Sequence, residues 1–271
     1  MKKLFVASDI HSFYDEWMKA LTEAGFDINN EDHIIVVCGD LLDRGNKANK
    51  CLKFVLDLPE DRKVLIRGNH ELLMDEIIYR KKYFDPWDYS NGTVDTVEQL
   101  TGIVEQYDGR NSGWVVQQTM VESMKTHEGW KKYYDSTVMY AEIGNYIFVH
   151  GWIPGEPISV GMNAAVKYIP EWRDLPYYNW KDATWLNGMQ MWQYGVREPG
   201  KTIVCGHWHS SWGHHKLHRV CSEFDKDALF TPFEDEGIIN LDGCVAHSGI
   251  VNCKVLEVTD DEWKEYYDNR E

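Results

Sequence analysis

An α/β fold with a parallel sheet is predicted by three observations on this 271-residue sequence. Short apolar, β-rich runs recur, and each ends in a cluster of polar residues. Helical patterns lie between the early runs. The spacing of run, helix and run fits βαβ crossovers. The first run, residues 4–7, leads into Ser8-Asp9-Ile10-His11, and the second, 34–38, into Gly39-Asp40. The third, 64–66, leads into Arg67-Gly68-Asn69-His70-Glu71. The fourth, 146–149, leads into His150-Gly151, and the fifth, 202–205, into Gly206-His207-Trp208-His209. Continuous apolar runs of this length read as strands buried on both faces. A helical pattern at 14–24, closed by Gly25, separates the first two runs, and another at about 47–58, closed by Pro59, separates the next two. In open α/β sheets, ligands bind beyond the carboxyl ends of the strands. Every polar cluster falls at such an end, so one convergent site is expected.

The middle of the chain reads differently. Segments 72–83, 94–107 and 112–134 have helical patterns, broken at Asp85-Pro86, Asn91-Gly92 and Asp108-Gly109. They predict a helical insertion at about 72–136, packed at the mouth of the site, within a single domain spanning 1–271. Residues 152–199, rich in Trp, Tyr and Pro, read as long ordered loop with some helix. Strands return at 237–241 and 250–258, and the acidic end at 260–271 reads as a surface helix or tail.

Formal net charge is -16, from 28 Lys plus Arg against 44 Asp plus Glu. So acidic a chain lacks the basic face that long nucleic acid or an anionic membrane requires. A small anionic substrate remains compatible, because bound cations reverse the local field. The six cysteines form no CxxC pair and read as small buried hydrophobes in a reducing compartment. The opening MKKLFVASD resembles a signal n-region, but Asp9 breaks it too early. No run is long enough to span a membrane. A cytoplasmic protein is expected.

The strand-end residues suit a two-metal hydrolytic site. Such a site needs oxygen ligands, imidazoles and one bridging carboxylate, with ions close enough to share a water-derived nucleophile. Asp9 and His11 can bind one ion together, and Asp40 can bridge. Asn69 offers a neutral carbonyl oxygen, and His150, His207 and His209 offer nitrogens. Mixed N/O ligation suits manganese first, with iron or zinc next. His70 follows Asn69 directly and can serve as general acid to the leaving oxygen. Asp43 can orient His70 and keep it protonated. Arg44 can clamp phosphate oxygens. A structural ion pair is the competing role for Arg44, and helix N-terminal stabilisation the expected role for Glu71. His33, His127, His214, His215, His218 and His247 read as solvated loop residues. The aromatic residues of 172–194 can stack on a base or peptide, although core and loop packing accounts for most of them.

Five ordered motifs carry a family resemblance: DxH at Asp9–His11, GDLLDRG at 39–45, RGNHE at 67–71, HG at 150–151 and GHxH at 206–209. Together they resemble the calcineurin-like metallophosphoesterases. The second and third are similar to the phosphoprotein phosphatase branch, which includes serine/threonine phosphatases and symmetrical diadenosine tetraphosphatases. Residues 238–244 resemble the late strand of that branch. The resemblance implies a four-layer α/β/β/α sandwich. It implies that Asp9, His11, Asp40 and His209 hold one divalent transition-metal ion, and that Asp40, Asn69, His150 and His207 hold a second. It assigns Arg44 to phosphate and His70 with Asp43 to proton donation. Two departures stand out: Ser12 replaces the usual glycine of the first motif, and GHWH carries a second histidine that protein phosphatases usually lack. The branch's second phosphate-binding arginine has only Arg173 and Arg197 as candidates.

The function expected first is hydrolysis of phosphomonoesters by a hydroxide bridging the two ions, in the manner of a serine/threonine protein phosphatase. Hydrolysis of dinucleoside polyphosphates comes second, and a non-catalytic scaffold third. The partners are thus a phosphorylated protein or a small phosphoester or nucleotide.

Overall fold

The computed structural model describes residues 1–81, 83–104, 113–160 and 163–270. The chain begins with β1 (Lys2–Ala7), α1 (Tyr14–Glu23), β2 (His33–Cys38), α2 (Ala48–Asp57) and β3 (Lys63–Ile66). The insertion follows: α3 (Asn69–Tyr79), α4 (Pro86–Ser90), α5 (Thr93–Thr101), α6 (Gly113–Lys125) and α7 (Glu128–Ser136). Next come β4 (Ala141–Ile143), β5 (Tyr146–Phe148), the hairpin β6 (Glu156–Val160) and β7 (Asn163–Lys167), α8 (Tyr177–Ala183) and α9 (Gly188–Gln193). The chain ends with β8 (Thr202–Cys205), α10 (Ser210–Gly213), β9 (Phe233–Asp235), β10 (Ile238–Asn240), α11 (Val245–Ser248), β11 (Lys254–Val258) and α12 (Asp260–Asp268).

Two sheets form the centre. One runs β11-β1-β2-β3, with β1, β2 and β3 parallel and β11 antiparallel at the edge. The other runs β4-β5-β8-β10-β9, with β5, β8 and β10 parallel. Their layering follows from alternation along each strand. Leu4 and Val6 of β1, with Ile34, Val36 and Cys38 of β2, join Phe148, Val204 and Ile239 in one buried cluster between the sheets. The intervening Phe5, Ala7, Ile35 and Val37 face the other way, onto Trp17, Leu52, Val55 and the insertion's Val97 and Met120. Outside the second sheet, Ile147 and Ile203 pack on Trp152, Trp172 and Trp180. Each large apolar side chain so buried stabilises the fold by about 1.5–3 kcal/mol over its exposed state. This is the expected four-layer arrangement, and it explains why these strands read as unbroken apolar runs.

Several elements depart from the expectations. Segment 112–134 is two helices, because the His127 ring accepts a hydrogen bond from the Trp130 N–H at 2.9 Å and starts α7 anew. Asp85-Pro86 starts a helix rather than only breaking one: Asp85 accepts from the Trp87 and Asp88 N–H groups, and Pro86 takes the first helical position. Helix α5 stops at Gly102, whose φ of 70° ends it. The rest of the expected 94–107 helix, the Asp108-Gly109 break and Ser112 fall wholly or partly outside the described residues. Residues 152–199 contain the hairpin β6–β7. The last strand is shorter than 250–258, since the Asn252 amide is drawn to the Phe230 and Leu241 carbonyls. His33, expected on a loop, opens β2 and is buried.

Candidate metal centre

Parallel strands of both sheets deliver most of the predicted residues to one place. The loops after β1 and β2 are zipped together by backbone bonds: Asp9 N–H to Gly39 O at 3.2 Å, His11 N–H to Asp40 O at 3.0 Å and Ser12 N–H to Leu41 O at 2.9 Å. Across the other sheet, Gly206 N–H donates to His150 O at 2.8 Å. The turns are sharp. Nine non-glycine residues have positive φ among the described residues, and six of them are Asp9, His11, Asp40, Asp43, Arg44 and His207. Backbone held in this region concentrates at functional sites. Ser12 shares it, with φ 62°, which accounts for glycine as the usual residue there.

Asp40 is the hub and is buried. Its Oδ1 lies 3.3 Å from His150 Nε2, and its Oδ2 lies 3.7 Å from His11 Nε2 and 3.8 Å from His70 Nε2. Potential ligand atoms of His11, Asp40 and His70 lie within 4.8 Å of one another, as do those of Asp40, His150 and His207. Asn69 Oδ1 is 2.8 Å from His150 Nε2. Two imidazoles have their other nitrogen committed to a backbone carbonyl: His11 Nδ1 to Leu42 O at 2.9 Å and His150 Nδ1 to Cys38 O at 2.8 Å. Such bonds fix the tautomer and leave Nε2 aimed inward for a metal. Carboxylate, amide oxygen and imidazole converging in a buried site form a donor set that fits divalent cations.

The electrostatics agree with this. Burial would raise the Asp40 carboxyl, but His150 and His70 outweigh it and hold it well below the usual range. Burial would lower His150, but Asp40 overrides it and pushes the ring up to about 10. His207 goes the other way, down to about 3, through burial and then the charge of His150. The His150 ring therefore holds a proton where a cation would sit.

Asp9 and His209 stand outside those two close groups. Asp9 Oδ2 accepts from Ser8 Oγ and, at 2.9 Å, from the His207 N–H. His209 Nε2 lies 2.9 Å from Glu223 Oε1, and its ring stacks against Trp208. Neither candidate arginine reaches the centre: Arg173 bonds Glu142 at 2.9 Å and Glu198 at 3.0 Å, and Arg197 stacks on Trp192.

His70 Nδ1 is 2.7 Å from Asp43 Oδ2, and Arg44 Nη2 is 3.2 Å from His70 Nε2. Burial would lower His70, yet Asp40 and Asp43 raise it. A doubly protonated His70 and a donating Arg44 cannot share the second contact. While Arg44 donates, the ring proton sits on Nδ1.

Sequence reasoning missed several supporting groups. Thr93 Oγ1 donates to Asp43 Oδ2 at 2.8 Å, and the Asp43 N–H donates to Thr96 Oγ1 at 3.0 Å. Glu71 stabilises its helix as expected, accepting from the Gly68 N–H at 2.7 Å. It also accepts from the Asp40 and Leu41 N–H groups, both at 3.0 Å, and from Tyr133 Oη at 2.8 Å. Asp242 is buried, and after burial it is the largest influence raising the Asp9 carboxyl. A sequence signal for Asp242 existed: it follows an apolar run, as Asp9 and Asp40 do.

The comparisons with known proteins fit this arrangement. The profile of the calcineurin-like phosphoesterases matches residues 2–237. A 68-residue stretch is 37% identical to the symmetrical bis(5'-nucleosyl)-tetraphosphatase of Pasteurella multocida, covering 25% of this chain and 24% of that protein. A 72-residue stretch is 36% identical to the asymmetrical bis(5'-nucleosyl)-tetraphosphatase of Bacillus subtilis, covering 24% and 30%. The match spans only about a quarter of the first of these relatives. Among solved structures, a cold-active protein-tyrosine phosphatase from a psychrophilic Shewanella aligns with TM-score 0.51 and 15% identity, over 95% of this chain and 76% of that one. A putative diadenosine tetraphosphatase aligns with TM-score 0.50 and 13% identity, over 95% of each chain. At such identities the likeness speaks for the fold alone. With the profile covering most of the sequence, the chain belongs to the calcineurin-like phosphoesterase family.

Proposed function

We propose that this protein is a metal-dependent phosphoesterase that hydrolyses phosphomonoesters, with manganese in the cluster around Asp40. Two bound cations would supply Lewis acidity toward phosphate oxygens and a water-derived nucleophile at neutral pH. Asp9, His11, Asp40 and His209 are assigned to one and Asp40, Asn69, His150 and His207 to the other. His209 would have to give up its bond to Glu223 to take part.

The observation that carries the reading is the 2.7 Å contact between His70 and Asp43 beside Asp40. An alkoxide leaving from phosphorus needs a proton, and a general acid supplies about 10²–10⁴-fold there. Arg44 turns from His70 to the equatorial phosphate oxygens, and its departure frees Nε2 to take up a second proton from solvent. Asp43 retains the Nδ1 proton and stabilises the charged ring. Nε2 then hands its proton to the leaving oxygen.

A second reading, hydrolysis of dinucleoside polyphosphates, is favoured by the curated relatives, which bear that activity in their names. Wild type and Asp40→Asn are to be assayed with manganese on nitrophenyl phosphate, a phosphothreonine peptide and diadenosine tetraphosphate. Loss of all turnover in the variant is expected, by more than the 10–100-fold typical of groups behind a ligand. Undiminished turnover in Asp40→Asn would end the reading. The preferred substrate separates the two activities.

A further inference from the structure

Beside the metal centre lies a cavity of about 360 Å³, between the hairpin β6–β7 and the end of α8. Its walls include Pro157, Ile158, Val166 and Leu186, with the Trp185 indole and Asn179. Two contacts tie it to the centre. Trp185 meets the His207 ring edge-on, 5.7 Å between centroids. The chain at 183–186 presses so closely on Gly151, next to His150, that a Cβ there would meet Ala183 O at 2.4 Å. The cavity therefore adjoins His207 through Trp185, and the same stretch packs on the backbone next to His150.

We propose that this cavity is a subsite for the nucleobase of a nucleotide substrate, an inference that rests on the nucleotide reading above. Its chemistry is that of a base rather than a peptide. The volume is at the small end of ligand pockets, enough for one ring system. The walls are mainly apolar, with the Asp182 carboxylate among them, and include a planar indole, 40% exposed, on which a flat ring stacks. Asn179 Oδ1 is buried with no hydrogen-bond partner. An unmet acceptor is costly until a donor arrives. A base brings one on an exocyclic amine or ring N–H, whereas an aliphatic side chain brings none. With phosphate at the histidines and the base against Trp185, one ligand spans both.

The test is competitive inhibition of nitrophenyl phosphate turnover by AMP and by ribose 5-phosphate, read at initial rate on the manganese-loaded wild type. AMP is expected to bind about tenfold more tightly, the gain from one stacked base. Asn179→Leu, checked for folding by circular dichroism, is expected to lower that ratio without abolishing it, because stacking on Trp185 remains. Equal affinities in the wild type overturn the subsite, and that comparison needs no variant. Diadenosine tetraphosphate turnover, assayed in parallel, judges the nucleotide reading separately. If the enzyme cleaves nitrophenyl phosphate but not the dinucleotide, that reading falls and takes the base's role as substrate with it. Turnover of the dinucleotide with equal affinities removes the cavity's role alone.

Discussion

The two sides of the Asp40 cluster are built differently. On one side Asp43, Arg44 and His70 are braced by the insertion. Helix α5 supplies Thr93 and Thr96 to Asp43, and its Gln99 amide donates to Gly45 O at 2.9 Å. Gly92 meets the backbone of Arg44 so tightly that any Cβ would lie 2.4 Å from its nitrogen. On the other side His207, Trp208 and His209 ride on a short turn, with Trp208 and Trp185 exposed and His209 turned to Glu223. The contrast teaches that the insertion, expected to stand at the mouth of the site, also holds Asp43, to which the proposed proton transfer is assigned. The histidine turn leaves freedom where a cation and a substrate have to enter.

His70→Ala breaks the braced side most severely. Turnover of alkyl phosphates is expected to fall about 10²–10⁴-fold, with a far smaller loss on nitrophenyl phosphate, whose leaving group needs little protonation. Equal losses on both would remove the proton-donor role. Metal binding sharpens the comparison from the other side. In the metal-free protein His150 keeps its proton below about pH 10, and a cation displaces it. At the site that would hold His150, about one proton should be released near neutral pH, so affinity there should rise close to tenfold per pH unit, read by calorimetry in buffers of different ionisation enthalpy. The same raised pKa stabilises the metal-free fold fully below the unfolded value of about 6.5, and that contribution fades as pH climbs through about 10.

A smaller effect is expected from Thr93→Val, which deletes one hydrogen bond to Asp43 at nearly constant shape. It should lower alkyl phosphate turnover about tenfold, at the low end for groups behind a functional residue, and should spare nitrophenyl phosphate. A variant that slows both equally would show that α5 serves folding only. Glu223→Gln should have the mildest consequence. Weakening the hold on His209 is expected to tighten manganese binding by less than about tenfold, within the range of a charge-assisted hydrogen bond. Weaker binding would mean that Glu223, not His209, serves the cation.

Much of this centre was legible in the sequence because each polar group sits where a doubly buried strand ends, and apolar runs mark such strands clearly. Asp40, Asn69 and His150, which the structure brings together, were picked out that way. What stayed hidden depends on tertiary partners. Nothing local distinguishes Thr93 from any helix-starting threonine, and its partner Asp43 lies 50 residues away. Glu71 reads as a helix-start residue and is one, yet its second task requires Tyr133, 62 residues on. His127 starts a helix through its ring, a role usually taken by shorter side chains, so α6 and α7 merged into one pattern. The hairpin β6–β7 was missed because Pro157 and the small residues Ala164 and Ala165 carry little strand signal.

The left-handed turns at Asp9, His11, Asp40, Asp43, Arg44 and His207 have a consequence for engineering. Glycine would accept each of those conformations without the clash that a Cβ meets. Each such glycine would relieve backbone strain while surrendering a residue assigned to the proposed chemistry. Thermostability selected without an activity screen would drift toward an inert fold.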